Sequence, residues 1–560
     1  MTRARFTIAL LCVLIAGAVL RTVWLRADPP WYPTVGVVWH DEGAWVHNAR
    51  NEALFGAWRQ DAWNPMYVAP VFTLAEYASF RAFGVGTWQA RLVSAAAGTF
   101  SIALLALGVR RLAGAAAGII AAALLATNYV YVMYDRAAIM EALMVAFIVA
   151  AWWASTRAED GPSWGLAAGV FAACAYFTKA AAAFYVGALA LAAVCSLVWP
   201  RSDSPDQQGE RRAAAWTLAG LGLAFGAALA FFVLPHWSDY QFYNWQMSVT
   251  RKPSYDLRSV LTRVSWFPIL HDQFSRMWFA VVVGMFGAWT IVVRWSRVLA
   301  AERLLLLWLA LGILELLVHD VGNERRFVFL IPAFIALTAI VLARGAGLLP
   351  ADVTRVPPRT AWLFAPAILY SAYIVCGPIA RLAFIYQVKG EARLSGALAV
   401  ALGAAVLAFW SRLARWLSSG RWSIRTAASI TAVLCAANVV EFGQFAWWRT
   451  YKNYEASVAI GRVLPPETEV QGKLANGLAL ENRIRPIFIG HGFGNFSDRK
   501  SREDVRYILT YTAPAIGYEG SQIEDVLAAY PGWRVIMSFD VAETPSGHDR
   551  AALIDKRAGH

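Results

Sequence analysis

Apolar runs of roughly 15 to 22 residues recur along the chain, each near the length at which a helix crosses the hydrocarbon core of a bilayer. They predict about thirteen spans, at 6–24, 89–109, 114–133, 138–155, 164–178, 181–199, 214–235, 277–293, 304–318, 327–343, 361–378, 394–410 and 426–446. The opening MTRARFTIALLCVLIAGAVLRTVW has the basic start and apolar run of a signal peptide. It lacks a small-x-small cleavage site and more spans follow, so it reads as a retained first helix. With the N-terminus cytoplasmic, the inner links carry Arg3/Arg5, Arg110/Arg111, Arg157, Arg201 with Arg211/Arg212, Arg294/Arg297/Arg303, Arg344/Arg355/Arg359 and Arg412/Arg415/Arg421/Arg425. Every one of these agrees with the positive-inside rule, and an odd number of spans puts the two termini on opposite sides.

The outer side then receives loop 25–88, the turn at 134–137, loop 236–276, the turn at 319–326, segment 379–393 and the tail from about 447. In loop 25–88, WVHNARNEALFGAW reads as an amphipathic helix lying in the interface. Asp41, Trp45, Asn48 and Glu52 share a face, and Gly56 ends it. After Trp448 the pattern becomes mixed. YEASVAIGRVL and SQIEDVLAAY read as helices, and ETEVQGKLA, PIFIG, DVRYILTY and WRVIMSFDV as strands. The division predicted is a membrane domain at 1–446 and a small soluble α/β domain at 447–560. GHGFG at 490–494 reads as a glycine turn, since no Lys-Ser/Thr follows to make it a phosphate loop.

Composition narrows the class. At 560 residues, 58% hydrophobic and 16% charged, with a mean hydropathy of +0.46, the chain is too apolar for a string of soluble domains. The net charge of +13 is topological rather than a nucleic-acid footprint, because the basic residues sit in the links between spans. Cys12, Cys174, Cys195, Cys376 and Cys435 all fall in apolar segments, which argues against a disulfide framework or a thiolate metal site.

Ionisable residues near membrane spans are costly and call for a partner or a function. His40-Asp41-Glu42 places two adjacent carboxylates where the first span has surfaced; helix capping is the competing reading for Asp41. Asp135-Arg136 and Glu141 sit at the outer ends of the third and fourth helices, with a local Asp135/Arg136 surface pair as the alternative. Lys179 interrupts an apolar stretch at an outer end, where positive-inside disfavours it. Glu324-Arg325-Arg326 offers two guanidiniums suited to forked bonds with phosphate, or a salt bridge to Glu324. His40, His236, His271 and His319-Asp320 leave a metal open, but no metal or other cofactor is expected.

The order DEGAWVHNARNEALFGAW, NPMYVAPVF, FGVGTWQARLVSA, YDRAAIMEALM, YFTKAAAAF and ERRFVFLIPAF resembles the GT-C-fold glycosyltransferases, in the branch of the protein O-mannosyltransferases and lipid A aminoarabinose transferases, over roughly residues 1–345. The resemblance implies that Asp41, with Glu42 beside it, is the catalytic or substrate-orienting acid of the first outer loop, and that Glu141 is the second acid, five residues after Arg136. It further implies that Thr178-Lys179 and Arg325/Arg326 are the basic positions holding donor phosphate, together with Arg136. One departure stands out. The aminoarabinose transferases carry a Lys before the Pro of the first loop, where this chain has Asn64-Pro65.

The chemistry read from the residues agrees. Outside the cytoplasm there are no nucleotide sugars, and the chain has no nucleotide-binding signature, so the donor expected is a polyprenyl-phosphate-linked sugar. The acceptor would be a hydroxyl or amine of a glycan, lipid or protein. Both would meet at the outer face of a bacterial-type cytoplasmic membrane, among membrane lipids and without nucleic acid. A carboxylate would take the acceptor proton, and Arg and Lys would stabilise the departing phosphate. An alternative is a transporter or flippase of lipid-linked sugars. Against it, the chain shows neither an internal repeat nor paired Gly/Pro-interrupted spans. A third reading is a scaffold in a cell-envelope complex whose tail binds a partner.

Overall fold

A computed structural model describes residues 2–30, 39–200, 206–247, 258, 277–319, 324–344, 365, 368–369, 372–373, 376, 391–409, 412, 424–489, 501–513, 526–541 and 549–557. The chain enters as α1 (Arg3–Thr22), capped by the Thr2 side chain on the Arg5 amide. Two short helices follow, α2 (Trp39–Trp45) and α3 (His47–Phe55), then α4 (Pro70–Phe83), which starts on its proline. The long α5 (Thr87–Thr127) is broken at Gly114, whose φ of 88° a residue with a side chain rarely adopts. The break splits α5 at the place where the hydropathy separates two spans. Next come α6 (Tyr129–Tyr134), α7 (Met140–Ser155), α8 (Pro162–Thr178), α9 (Ala183–Val198), α10 (Gln207–Ala228), which runs on through a π turn to Val233, and α11 (Trp237–Trp245). The remaining helices of the membrane part are α12 (Trp278–Val293), α13 (Ala300–His319), α14 (Ile331–Arg344), α15 (Glu391–Ala408) and α16 (Ile424–Trp448).

Helices accordingly occupy twelve of the expected spans, and the span at 361–378 falls mostly outside the described residues. Among the described residues five helical stretches are long and apolar enough to cross a membrane unaided, and several shorter apolar helices accompany them. The chain is an integral membrane protein. Its core is built where α5 packs against α1, α7 and α14, with Trp152 and Trp308 fully buried among small and branched residues. Outward faces keep residues such as Ile8, Ile15, Leu223 and Val433 exposed, as a lipid-facing surface requires.

The interfacial helix expected around Asp41 is not one helix. The chain breaks at Val46, and His47, Asn48, Arg50 and Asn51 are all buried. The reason is the tail, which comes back over it. After α17 (Lys452–Val463), five strands, with α18 (Lys473–Gly477) between the first two, form one sheet in the order β2-β1-β3-β5-β4: β1 (Glu469–Gln471), β2 (Arg485–Ile487), β3 (Tyr507–Ala513), β4 (Arg534–Val541) and β5 (Asp549–Asp555). β1 pairs in parallel with β2 and β3, whereas β5 lies antiparallel to both β3 and β4. The sequence missed β5, whose DRAALID lacks the β-branched density of its neighbours. It also ran β1 too far, since Gly472 at φ 120° turns the chain into α18. GHGFG and the first half of SQIEDVLAAY lie outside the described residues, as do most of loop 236–276 and segment 379–393.

This tail is fastened to the stretch between α1 and α4 by buried polar contacts. The Arg50 guanidinium donates to the carbonyls of Ala479, Asn482 and Ile484 at 3.1, 3.0 and 2.9 Å. Asp28 accepts from the Lys452 and Asn453 amides at 2.8 and 3.1 Å and from the Thr450 hydroxyl at 2.6 Å. Burial still leaves the Asp28 carboxyl above its ordinary pKa, although Thr450, Asn453 and Arg91 all pull it down. Gly43 of α2 lies so close to the Asn476 carbonyl that no side chain would fit.

Candidate active site

Four of the sequence-predicted residues meet at one end of the helix bundle, from four separate segments. Asp41 comes from α2, Glu141 from the first turn of α7, Lys179 from the end of α8, and Arg325 from the short turn Glu324–Phe327 that precedes α14. Arg325 Nη1 donates to Asp41 Oδ2 at 2.9 Å, and its Nε lies 2.8 Å from Glu141 Oε1. Lys179 Nζ pairs with the same Glu141 oxygen. Burial opposes the Arg325 charge, but Glu141 and Asp41 more than offset it, and its pKa stands above the ordinary value.

The members of this cluster differ in access. The Glu141 side chain is 1% exposed and Asp41 28%, with Lys179 and Arg325 between them at 13% and 11%. Glu141 is therefore an internal anchor that two cations share, while Asp41 is the carboxylate that an outside group can reach. Tyr134, fully buried, lies close enough to Arg325 to act on its charge.

Glu42 faces elsewhere. It takes a forked pair from Arg91, at 2.8 and 2.7 Å, and the Ala138 amide at 2.7 Å, and it is 3% exposed. This arrangement clamps α2 to the start of α5 and to the turn before α7, and it satisfies all that Glu42 could offer a substrate. Arg136 also leaves the cluster. Its guanidinium donates to the Leu20 and Trp24 carbonyls at 2.8 and 3.0 Å and lies over the rings of Phe442 and Phe445. The Asp135/Arg136 surface pair is not formed. Asp135 is buried and accepts from Arg21 Nε at 2.7 Å, and Gly98 makes room for its carboxylate. The side chains of Arg326 and His40 lie outside the described residues.

Asn64 stands where the resemblance puts a lysine, and its amide is committed within the protein. It donates to Tyr243 Oη at 2.6 Å and to the Asp61 carbonyl at 3.2 Å, and accepts from Asn48 at 3.2 Å. Sequence reasoning passed over Arg91, Arg21 and Arg50. A signal for Arg21 was present. It is an arginine near the end of the first apolar run, at the opposite end from Arg3 and Arg5, and a cation there calls for a partner.

Comparison with known proteins now bears on the arrangement. Residues 67–205 match the family model described as dolichyl-phosphate-mannose-protein mannosyltransferase. That stretch contains Arg136, Glu141 and Lys179 and stops short of Asp41 and Arg325 on either side. Among solved structures, ArnT from Cupriavidus metallidurans in the apo state superposes with a TM-score of 0.53 at 15% sequence identity, covering 99% of this chain and 98% of that one. The chain has the GT-C fold. ArnT from the same organism bound to undecaprenyl phosphate gives a TM-score of 0.48 at 16% identity, over 98% of this chain and 97% of that one. The apo oligosaccharyltransferase of Archaeoglobus fulgidus gives 0.48 at 13% identity, over 97% of this chain and 75% of that one. No curated protein matches the chain by sequence.

Within the GT-C fold as it stands here, the sheet of the tail sits against the loop that carries Asp41. Trp63 stacks on Phe488 with ring centroids 5.2 Å apart, and Asp61 takes the Phe488 amide at 2.7 Å. The loop is thus held from both sides, by Arg91 and Glu42 beneath it and by the tail over it. Among the described residues no group of three or more His, Cys, Asp or Glu is placed to hold a metal ion.

Proposed function

We propose that the chain is an inverting glycosyltransferase. It moves a sugar from a polyprenyl-phosphate donor to an acceptor hydroxyl or amine at the outer face of the cytoplasmic membrane. The observation that carries this reading is the Arg325 bridge, which binds accessible Asp41 and buried Glu141 at once, with Lys179 on the same anchor. Two cations held beside one reachable carboxylate are the parts that displacement of a phosphate by a hydroxyl or amine requires. The match of residues 67–205 to a family that uses dolichyl-phosphate-mannose supports a lipid-linked donor.

In this reading the donor phosphate competes with Asp41 for Arg325, and Lys179 takes a second phosphate oxygen. Asp41, released, accepts the proton of the acceptor as its oxygen or nitrogen attacks the anomeric carbon opposite the phosphate. The new bond from carbon to acceptor forms, the bond from carbon to phosphate oxygen breaks, and that oxygen leaves with the electron pair. Arg325 and Lys179 meet the growing negative charge, which is where fixed cations contribute most. Glu141 is a positioning residue that aims both cations. Glu42 positions α2 through Arg91, and Arg136 ties the α6–α7 turn to α1 and α16. Residues 1–446 form the membrane domain, and 447–560 form an outer domain that secures the Asp41 loop.

The test is transfer in proteoliposomes from a set of polyprenyl-phosphate sugars to sugar, lipid and peptide acceptors. Product of inverted anomeric configuration from one donor supports the proposal. Translocation of the lipid-linked sugar with no transfer product overturns it.

A further inference from the structure

A cavity of about 340 Å³ lies at the other end of the bundle from Asp41 and Arg325. Its wall is formed by the last turns of α7 and α9, the first turns of α10 and α13, and the end of the first half of α5. Glu141 opens α7 and Ser155, in the cavity wall, closes it, so the two places are separated by about 20 Å at 1.5 Å per helical residue. This space is separate from the cluster described above and does not depend on the function proposed for it.

The cavity stays open because alanines, among them Ala193, Ala214 and Ala301, line it where larger residues would fill it. Its polar groups are of both signs. Ser196, in the cavity wall, is 1% exposed, and its buried hydroxyl has no hydrogen-bond partner among the described residues. A buried hydroxyl left in that state is costly, so the site is built for a group that bonds to it. Glu210, 2% exposed, lines the same space, with Arg303 at 3.6 Å. Towards the rim stand Arg111, which donates to the Thr156 carbonyl and pairs with Asp160, and Glu159.

We propose that this cavity binds an aminoalkyl phosphate, with its ammonium at Ser196 and Glu210 and its phosphate towards Arg111. The source is a phospholipid with a primary-amine headgroup, taken from the leaflet at this end of the bundle. A primary ammonium brings three donors to a carboxylate and a hydroxyl oxygen that can accept, which a quaternary headgroup cannot do. A lipid rather than a free metabolite fits the setting. Next to the cavity α9 and α10 present Leu191, Val194, Val198 and Trp216 outward, a track for acyl chains, and Trp199 stands 65% exposed as an interfacial ring does.

The experiment is native mass spectrometry and thermal unfolding of the full-length protein, delipidated in detergent. It is titrated separately with phosphatidylethanolamine, phosphatidylcholine, phosphatidylglycerol and free O-phosphoethanolamine. Phosphatidylethanolamine should bind at least about tenfold tighter than phosphatidylcholine and raise the unfolding temperature. Ser196→Ala should cut that preference by about fivefold, the worth of one hydrogen bond. Ser196→Leu and Ala214→Leu, which fill the space, should abolish the preference; should either fail to fold, Ser196→Ala decides alone. Equal binding of the three lipids, or an unchanged preference in Ser196→Ala, overturns the proposal. Stabilisation by free O-phosphoethanolamine equal to that by the lipid overturns its lipid source.

Discussion

Replacing Arg325 by Met removes the bridge and leaves Glu141 with Lys179 alone. Breaking a buried ion pair from one side costs about 3–5 kcal/mol. Here the lower end applies, because Lys179 still faces Glu141 and the 28%-exposed Asp41 can turn to water. A loss of about 3 kcal/mol should lower the unfolding temperature by several degrees in a protein this large. Catalysis should suffer far more. Losing one fixed group that stabilises transition-state charge costs roughly 100- to 1,000-fold in turnover. Arg325→Lys keeps the charge but cannot fork between two carboxylates, so it should fall between wild type and Arg325→Met in both measurements. Thermal unfolding and single-turnover transfer, measured on the same preparations at a temperature where all three are folded, separate the two effects. Wild-type turnover in folded Arg325→Met would refute the reasoning, as would a loss of turnover no larger than the fraction unfolded.

Other outcomes follow from the same contacts. Arg50→Met forfeits three charge-assisted bonds to carbonyls, each worth roughly 1.5–3 kcal/mol. Hydrogen exchange across residues 473–489 should accelerate while α7 and α14 keep their protection. Gly98→Ala drives a methyl group into the Asp135 carboxylate and should lower thermal stability sharply, whereas Gly222→Ala, with open space around it, should be neutral or slightly stabilising. Lys556 is lowered to about 8 by burial, against the pull of Asp504 and Glu503. The unfolded chain then holds more protons there between pH 8 and the ordinary lysine value, so stability should rise with pH across that window. Melting curves of wild type and Lys556→Met from pH 7 to 10.5 should diverge in that direction, and parallel curves would contradict the shift.

The membrane architecture was legible because the bilayer imposes one rule, a long apolar helix, that composition alone reveals. Even the split of α5 showed in advance, as the dip in hydropathy around Arg110 and Gly114. Asp41, Glu141, Lys179 and Arg325 could be placed on one side by charge and spacing, and the structure brings these four together. What sequence could not provide was which partner each ionisable residue takes. Glu42 and Asp41 are neighbours in sequence but point to different arginines, Arg91 and Arg325, because successive residues on a helix diverge by about 100°. The resemblance made Arg136 a phosphate-holding position, and in the structure its guanidinium donates to the Leu20 and Trp24 carbonyls. The amphipathic pattern of 45–55 suggested a lipid interface. Arg50, off the face that pattern defined, instead meets the tail, a contact more than 400 residues distant in sequence that no local pattern encodes.

The most direct test of the account is transfer by Asp41→Asn. Asparagine keeps the size of the side chain, removes its ability to take a proton and no longer competes as an anion for Arg325, so the variant should fold and bind polyprenyl phosphate at least as tightly as wild type does. Its rate of sugar transfer in proteoliposomes should fall by roughly 100- to 10,000-fold, the usual worth of a general base. Undiminished transfer by folded Asp41→Asn would contradict the central claim.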